Sequence, residues 1–504
     1  MNNFIKVLSV IPSNYFTNYK NQRYKDLETI KKCNYDTVVI GGGCTGSGIG
    51  LDSASRGLNT LLLEKNDFTS GTSSKSTKLI HGGVRYLEKA VLNLDINQYN
   101  LVKEALYERE IFMNNAKYIT KPINLLVPCN SYYELFKTWI GLKLYDFISY
   151  TRLDKSYYLN KNSIKDNFPY LLTNNLKGGI IYSDGQHNDV RTNMAIIKTA
   201  ESYGCKALNH IEVIDLIKNK NNKIIGIVAY DNIIKEKIQI KCKHVINATG
   251  PYADIIRKID DNNCSNLIYA SNGTHIIYKN TLNMTDTGIL IPKTDDGRVL
   301  FILPWYNNIL VGTTDDPCSV SFNPKPNQND LQYITDQMKK YIDDKTLVQT
   351  SIWSGIRPLV KTMNNNSENI IRSHYLEITK SGLISITGGK WTIYRKMAED
   401  SVNIITDNKC ITNNLPLIGN NNYNNKLCKE LKTKYNMEED IIEHLVNRYG
   451  NIAIQILEYN NNIRISKDLP YIKSEILYLL DNEYISSVDD LINRLNLNLI
   501  DIIK

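Results

Sequence analysis

Gly41-x-Gly43-x-x-Gly46 is the first stretch whose residue types and spacing could do chemistry. The first glycine permits a tight turn. The second lets backbone approach a pyrophosphate, and the third lets a helix pack closely on a strand. The start of that helix would offer unpaired N–H groups and partial positive charge to phosphates. Glu64, eighteen residues beyond Gly46, can accept hydrogen bonds from ribose hydroxyls. An acid rather than an arginine there argues against a 2′-phosphate. A second run, TSSKSTKLIHGGVRYLEKA (72–90), follows at once and is too polar to be core. A dinucleotide that is held permanently and carries a redox ring needs extra donors near its pyrophosphate and ring. The glycine motif alone does not separate NAD from FAD, and service to a flavin is one physical reading of Ser73 to Gly83.

The flanking elements form a βαβ unit. YDTVVI (35–40) is a β-branched run and hence a buried strand. GGGCTGSGIGLDSASRG is a glycine turn entering a small-residue helix, which Gly57 terminates. NTLLLEK is the second strand. KHVINATG (243–250) and GLISITGGK (382–390) are further apolar runs that end on small residues. GILIPKTDDGRVLFILPWYNNILVGTTDD (288–316) reads as successive antiparallel strands, with turns at Asp296-Gly297 and Asn307-Asn308. After Thr412 a polar linker leads into 426–504, which has helical periodicity and no strand-like run.

The chain has 504 residues, so two or three domains are expected. Its net charge of +8 is mild for this length, and no dense basic tract points to nucleic acid. The nine cysteines are odd in number and never spaced CxxC, which argues against a disulfide framework or a zinc site. No metal is expected. No apolar run approaches ~20 residues, so no spanning helix is expected. Residues 1–25 carry Lys6, Lys20, Arg23 and Lys25 with no acid. That is a weak sign of a targeting segment within an N-terminal extension, 1–34.

Taken in order, VVIGGGCTGSGIGLDSASRG, SSKSTKLIHGGVRYLEKA, IYSDGQHNDVR, VINATGPY, IPKTDDGRVLFILPW, VGTTDDP, WSGIRPLV and SITGGKWTIYRKMAED resemble the FAD-dependent glycerol-3-phosphate dehydrogenase family. The resemblance runs from about residue 35 to 500, its tail carried by HLVNRYG and EYISSVDDLINRLNL. Three positions depart from the family pattern. Gly50 stands where alanine is usual, Ile393 where threonine or serine is common, and Asn272 where lysine is frequent. No EF-hand loop is visible in these residues, so the calcium-binding extension of some animal members is not expected among them.

The implied fold is α/β: a glutathione-reductase-like FAD (Rossmann) domain, a mixed-sheet substrate domain and a C-terminal all-helical domain. The oxidoreductase region is 35–400. Its FAD domain is discontinuous, about 35–115, 185–260 and 370–400, and the substrate domain is about 116–184 and 261–369. The helical domain is 413–504. The implied cofactor is FAD. The implied reaction is oxidation of sn-glycerol 3-phosphate, with hydride passing to flavin N5 and electrons to a quinone. The alternatives are an oxidase that uses oxygen and an amine-oxidising flavoenzyme of the same fold.

That reaction sets three tasks: bind a phosphate dianion, take the C2 hydroxyl proton, and stabilise charge on the reduced ring. Arg85 and Arg357 suit the phosphate, because a guanidinium fork matches its oxygens, and the resemblance puts both in the substrate pocket with Tyr86. His275 is the favoured proton acceptor. Lys390 would add a point charge near substrate or flavin, beside Gly388 and Gly389. Ser73, Ser74, Lys78, His81, Gly82 and Gly83, together with Ala248, Thr249 and Gly250, complete the expected cofactor site. Catalysis is expected from His275, Arg357, Lys390 and Arg85. ELFKTWIGLKLYDFISY (134–150) reads either as an amphipathic helix for a membrane interface or as an ordinary helix packed on the substrate domain. Expected partners are the substrate, a quinone, a membrane surface bound peripherally, and a second copy of the chain as a homodimer. The expected location is the mitochondrial inner membrane. The alternative is the cytoplasmic face of a bacterial-type membrane.

Overall fold

The computed structural model describes residues 7–84, 86–87, 90, 93–149, 153–343, 346–361, 373–421, 423–424, 426–467 and 469–497. Among these, an eight-stranded sheet runs in the order His374–Ile378, Leu383–Gly388, Glu236–Asn247, Asn34–Ile40, Thr60–Leu63, Lys206–Leu208. Neighbours from Leu383–Gly388 onward pair in parallel. Ile211–Lys218 and Ile224–Asp231 fold back antiparallel to join Glu236–Asn247. All four apolar runs read from the sequence therefore lie side by side in the parallel part of this sheet. Gly41, Glu64, Ala248 and Gly388-Gly389 cluster at the carboxyl ends of its strands, the edge where open α/β sheets bind ligands.

The glycine-rich helix Cys44–Ser55 packs against Asp189–Ser202 and Tyr394–Val402. Ile49, Leu51 and Ala54 share a core with Met194, Ile197, Tyr394 and Met397. Its small residues allow this approach: a Cβ on Gly48 would come within 2.9 Å of the Tyr394 ring.

The second sheet has ten described strands, in the order Asp316–Pro317, Ile268–Lys279, Asn308–Gly312, Leu300–Trp305, Thr287–Ile291, Thr120–Cys129, Gly178–His187, Leu79–Ile80. Gln349–Val360 pairs with Ile268–Lys279, and Tyr157–Asn160 with Gly178–His187. The pairing is antiparallel except between Thr287–Ile291 and Thr120–Cys129, so the sheet is mixed. Leu79–Ile80 lies within the polar 72–90 run yet pairs with this second sheet. That run is thus the joint between the two layers.

Asp296-Gly297 turns as expected, with Gly297 at φ 80°. The next turn sits one residue earlier than expected. Trp305 pairs with Asn308, so Tyr306-Asn307 forms the two-residue loop, with Tyr306 at φ 52°. Asn308 is drawn into the ladder by its strand partners, so the asparagine pair misled as a turn signal.

In the C-terminal region, helices Leu427–Tyr435, Glu439–Tyr449, Lys473–Asn482 and Val488–Leu495 enclose their own core. Contrary to the strand-free reading, Arg464–Ser466 and Leu469–Ile472 form a short antiparallel hairpin. Strands of three and four residues are too short to show a period of two. This region is bolted to the dinucleotide layer by buried ion pairs: Arg191 with Glu483 at 2.7 Å, and Arg494 with Asp67 at 2.8 Å. The N-terminal helix Tyr15–Lys32 spans the same boundary. Leu27 and Ile30 enter the sheet core, Arg23 pairs with buried Asp231, and Tyr15 donates to Leu480 O and Ile485 O.

Candidate active site

A cavity of about 1760 Å³ lies between the layers and reaches from the glycine turn to the second sheet. At one end Gly41 has φ 105°, and a Cβ there would meet Ala248 O at 2.6 Å. Gly43 is extended and precedes the helix, and a Cβ would meet Ser73 Oγ at 2.9 Å. A Cβ on Gly46 would overlap the Gly41 carbonyl. Gly41 thus makes the tight turn and Gly46 the close helix packing that the spacing implied, while Gly43 presents bare backbone to the cavity. Glu64 is held by Gly42 N (2.7 Å) and Asn66 N (2.8 Å), and burial raises its pKa. A glycine turn with no room for side chains, a helix start and an acid that line one cavity make a donor set that fits a dinucleotide.

Further along, Ser73 Oγ accepts from Cys44 N (2.9 Å), and Ser73 O accepts from Trp391 Nε1 (2.8 Å). The Thr392 hydroxyl bridges His81 N and O. These bonds tie the polar run to the turn after Leu383–Gly388, where Gly388 and Gly389 have φ 80° and 67°. Lys390 reaches back, its Nζ 4.3 Å from the Tyr86 ring centroid.

Along Ile268–Lys279 the odd positions Tyr269, Ser271, Gly273 and His275 line the cavity, joined by Gly355 and Arg357 from the paired strand. The Arg357 guanidinium is held by Asp315 and Thr314 O, both at 2.9 Å, and by the Thr313 hydroxyl at 3.0 Å. It lies over Gly273, where a Cβ would collide with it at 2.6 Å. His275 lies against Gly312, stacks on Trp353 at 5.4 Å, and shares its Nε2 with the Thr77 hydroxyl at 3.0 Å. Burial, then Arg357 and Lys78, hold its pKa well below the ordinary value. It is therefore held as a neutral imidazole at physiological pH.

Of the expected site residues, Gly41, Gly43, Glu64, Ser73, His81, Gly83, Tyr86, Ala248, Thr249, Gly250, His275, Arg357, Gly388, Gly389 and Lys390 line this one cavity. Gly46 lies beneath the turn. Arg85 lies outside the described residues. Ser74, Lys78 and Gly82 do not reach the wall. Ser74 turns its hydroxyl to Gly71 O. Lys78 is fully buried, with its ammonium 2.7 Å from Asp189, because an unpaired charge could not be buried there. Gly82 N donates to the buried Tyr145 hydroxyl. These three support the loop from behind. Asn272 faces the opposite side of its strand from His275 and joins Thr274, Asp330 and Ser354. The departure from lysine therefore leaves the cavity wall untouched. His210, His374 and His444 pair with Asp490, Asp400 and Glu475, as structural histidines do.

Two groups escaped sequence reasoning. Tyr252 and Phe322 stack at 4.2 Å on the cavity's Glu64 end, with Lys65 Nζ 4.0 Å from the Phe322 ring centroid. They come from distant segments, and no spacing links them. Thr77 could have been suspected from its place in the polar run.

Two stacked layers, with a dinucleotide cradle on one and a basic, histidine-bearing wall on the other, define a two-domain flavin oxidoreductase. Residues 36–395 match the family model "FAD dependent oxidoreductase", and 410–502 match "C-terminal domain of alpha-glycerophosphate oxidase". A Dictyostelium discoideum protein named probable glycerol-3-phosphate dehydrogenase, mitochondrial, is 42% identical over 94% of this chain and 79% of its own length. Its Homo sapiens counterpart is 39% identical, over 91% of this chain and 67% of that protein. The crystal structure of a glycerol-3-phosphate dehydrogenase from Bacillus halodurans complexed with FAD matches with TM-score 0.75 and 27% identity, covering 94% and 88% of the two chains. A Mycoplasma pneumoniae L-alpha-glycerophosphate oxidase with FAD bound shares the fold, with TM-score 0.59 and 16% identity over 74% of this chain and 95% of that one. The chain belongs to the family of FAD-dependent glycerol-3-phosphate dehydrogenases.

Proposed function

We propose that this chain oxidises sn-glycerol 3-phosphate to dihydroxyacetone phosphate and delivers the electrons to a quinone at a membrane surface. The observation that carries the reading is the single cavity that joins the dinucleotide cradle to Arg357, Lys390 and His275. FAD, when bound, supplies the ring that accepts the hydride from substrate C2. Gly41, Gly43, Ser73 and the helix start would hold its pyrophosphate, and Glu64 its ribose. Arg357, held rigid by Asp315 and the Thr313–Thr314 segment, fits the substrate phosphate bidentately. Lys390 adds a second cation. His275 Nε2, exchanging Thr77 for the C2 hydroxyl, takes the proton as the C2–H electron pair leaves. Its lowered pKa keeps the acceptor unprotonated. Anaerobic mixing with glycerol 3-phosphate should bleach the visible flavin absorbance. A holoenzyme whose spectrum does not change would refute the reaction.

Helix Tyr132–Ile148 supports peripheral attachment. Tyr132, Tyr133, Phe136, Trp139, Ile140 and Phe147 are exposed, while Leu142, Tyr145 and Ile148 are buried. At ~100° per residue the exposed set spans an arc of about 120°, opposite the buried set. Aromatic side chains beside Lys137 and Lys143 suit a headgroup boundary. No described helix is long and apolar enough to cross a membrane. The relatives' names support a mitochondrial location. Flotation with anionic vesicles should carry the protein upward, and Phe136→Glu with Phe147→Glu should leave it at the bottom. Flotation unchanged by the double substitution would dismiss this helix.

A further inference from the structure

Three glycines on adjacent strands of the second sheet each make room for a side chain of the cavity. Gly273 faces the Arg357 guanidinium, and Gly312 faces the His275 ring. The third, Gly355, faces Lys75, where a Cβ would come within 2.7 Å of the lysine Cβ. Gly355 pairs with Gly273 and lies two residues from Arg357 on the same strand face, ~7 Å away. Lys75 is held at this point by its own turn: the Thr72 hydroxyl donates to Ile356 O at 2.7 Å. Its side chain is half-buried and lines the cavity.

The nearby charges leave Lys75 as the one to explain. Lys78 is neutralised by Asp189, and Arg357 is paired with Asp315. Among the described residues no carboxylate or hydrogen bond reaches the Lys75 ammonium. Asp189, already engaged by Lys78, acts on it only at a distance. An ammonium held half-buried without a counter-ion is unfavourable unless an anion arrives.

We infer that Lys75 is a further substrate-binding cation of this site, lining the same cavity as Arg357 to meet the phosphate dianion of the substrate. The inference rests on the glycerol 3-phosphate reading above. Burial, with Lys78 next, lowers the pKa of the unoccupied group to about 8. Above that pH the free site loses its charge, and a bound dianion restores it by drawing in a proton. The apparent affinity for substrate should therefore weaken as pH rises from 7 to 9.5. Arginine at this position stays charged and should hold affinity level across that range.

The test is steady-state kinetics of holoenzyme on glycerol 3-phosphate across this pH range, for wild type, Lys75→Met and Lys75→Arg, with flavin content measured for each. Lys75→Met should raise KM about 10- to 100-fold with kcat changed far less and FAD retained. Lys75→Arg should restore KM and flatten its rise above pH 8. An unchanged KM in Lys75→Met overturns the inference. So does loss of FAD with KM unchanged in the flavin-bearing fraction, because the ammonium would then serve the cofactor's own phosphates. If Lys75→Met does not fold, the wild-type and Lys75→Arg pH profiles decide alone, and parallel profiles refute it. Wild-type flavin that glycerol 3-phosphate fails to bleach would sink the underlying reaction instead, a result distinct from these.

Discussion

Gly46→Ala and Gly50→Ala place the same methyl group on one helix, four residues apart, and should have opposite effects. At Gly46 the new Cβ would overlap the Gly41 carbonyl oxygen, whose carbon lies 3.0 Å away, with the Ala248 side chain at 3.4 Å. The carbonyl cannot retreat freely, because Gly41 N is bonded to Leu63 O at 2.8 Å. Relief requires the helix to lift ~1 Å or more from the turn, an overpacking cost of about 3 kcal/mol. Set against FAD binding, that is roughly a 100-fold loss. At Gly50 the new Cβ meets Cys205 Sγ at 3.5 Å and Leu62 Cδ2 at 3.7 Å, ordinary contacts. A helical alanine gains up to ~1 kcal/mol over glycine, and a buried methyl adds about 0.8 kcal/mol. If the dinucleotide layer melts as a unit of 150–250 residues, a gain of about 1 kcal/mol raises Tm by about 2–4 °C. Flavin fluorescence on heating, with the flavin-to-protein absorbance ratio of the purified protein, reads both effects. Stoichiometric FAD with unchanged Tm in Gly46→Ala, or a lowered Tm in Gly50→Ala, would refute the packing argument.

Arg357→Ala should raise KM for glycerol 3-phosphate by about 10- to 100-fold while FAD stays bound, since the guanidinium lies on the wall opposite the cradle. Recovery of apo-protein would count against its role. His275→Asn should lower kcat by about 10²- to 10⁴-fold with KM little changed; an unaffected kcat would move the base elsewhere. Arg191→Met should destabilise the C-terminal docking by about 3 kcal/mol, read by denaturant unfolding, because buried Glu483 loses its bidentate partner. Burial alone would raise the Glu483 carboxyl, yet Arg191 and Arg494 outweigh it and hold the pKa below the ordinary value. A folded-state pKa below the unfolded one stabilises fully above ~4.3 and loses that effect as pH falls through the folded value. Wild type should therefore weaken in that acid window more steeply than Arg191→Met, and parallel curves would contradict the pairing.

The strand–turn–helix core was legible because its signals are local. A β-branched run followed by Gly41-x-Gly43-x-x-Gly46 can be satisfied by few backbones. The same holds for the glycine ends at 250 and 388–389. Side-chain direction was less legible. Lys78 and Lys75 stand three residues apart in the same polar run. One is buried on Asp189, 111 residues away, and the other opens into the cavity over Gly355. Nothing in the run separates them, because their partners arrive from other strands.

Sequence alone determined that a glycine turn suited to a dinucleotide would stand at the carboxyl ends of parallel strands, and that basic and imidazole groups would follow it. Glycine stereochemistry and strand periodicity act over a few residues and leave a mark at fixed spacing. Only the tertiary structure decided which cations face the cavity and that Asn272 turns away from it. It alone revealed that Tyr252 and Phe322 meet at the Glu64 end, and that Tyr15–Lys32 joins the core of the sheet. Those outcomes depend on burial of charge and on close packing between distant segments. Both are energies of the assembled layers, and a linear spacing carries no record of them.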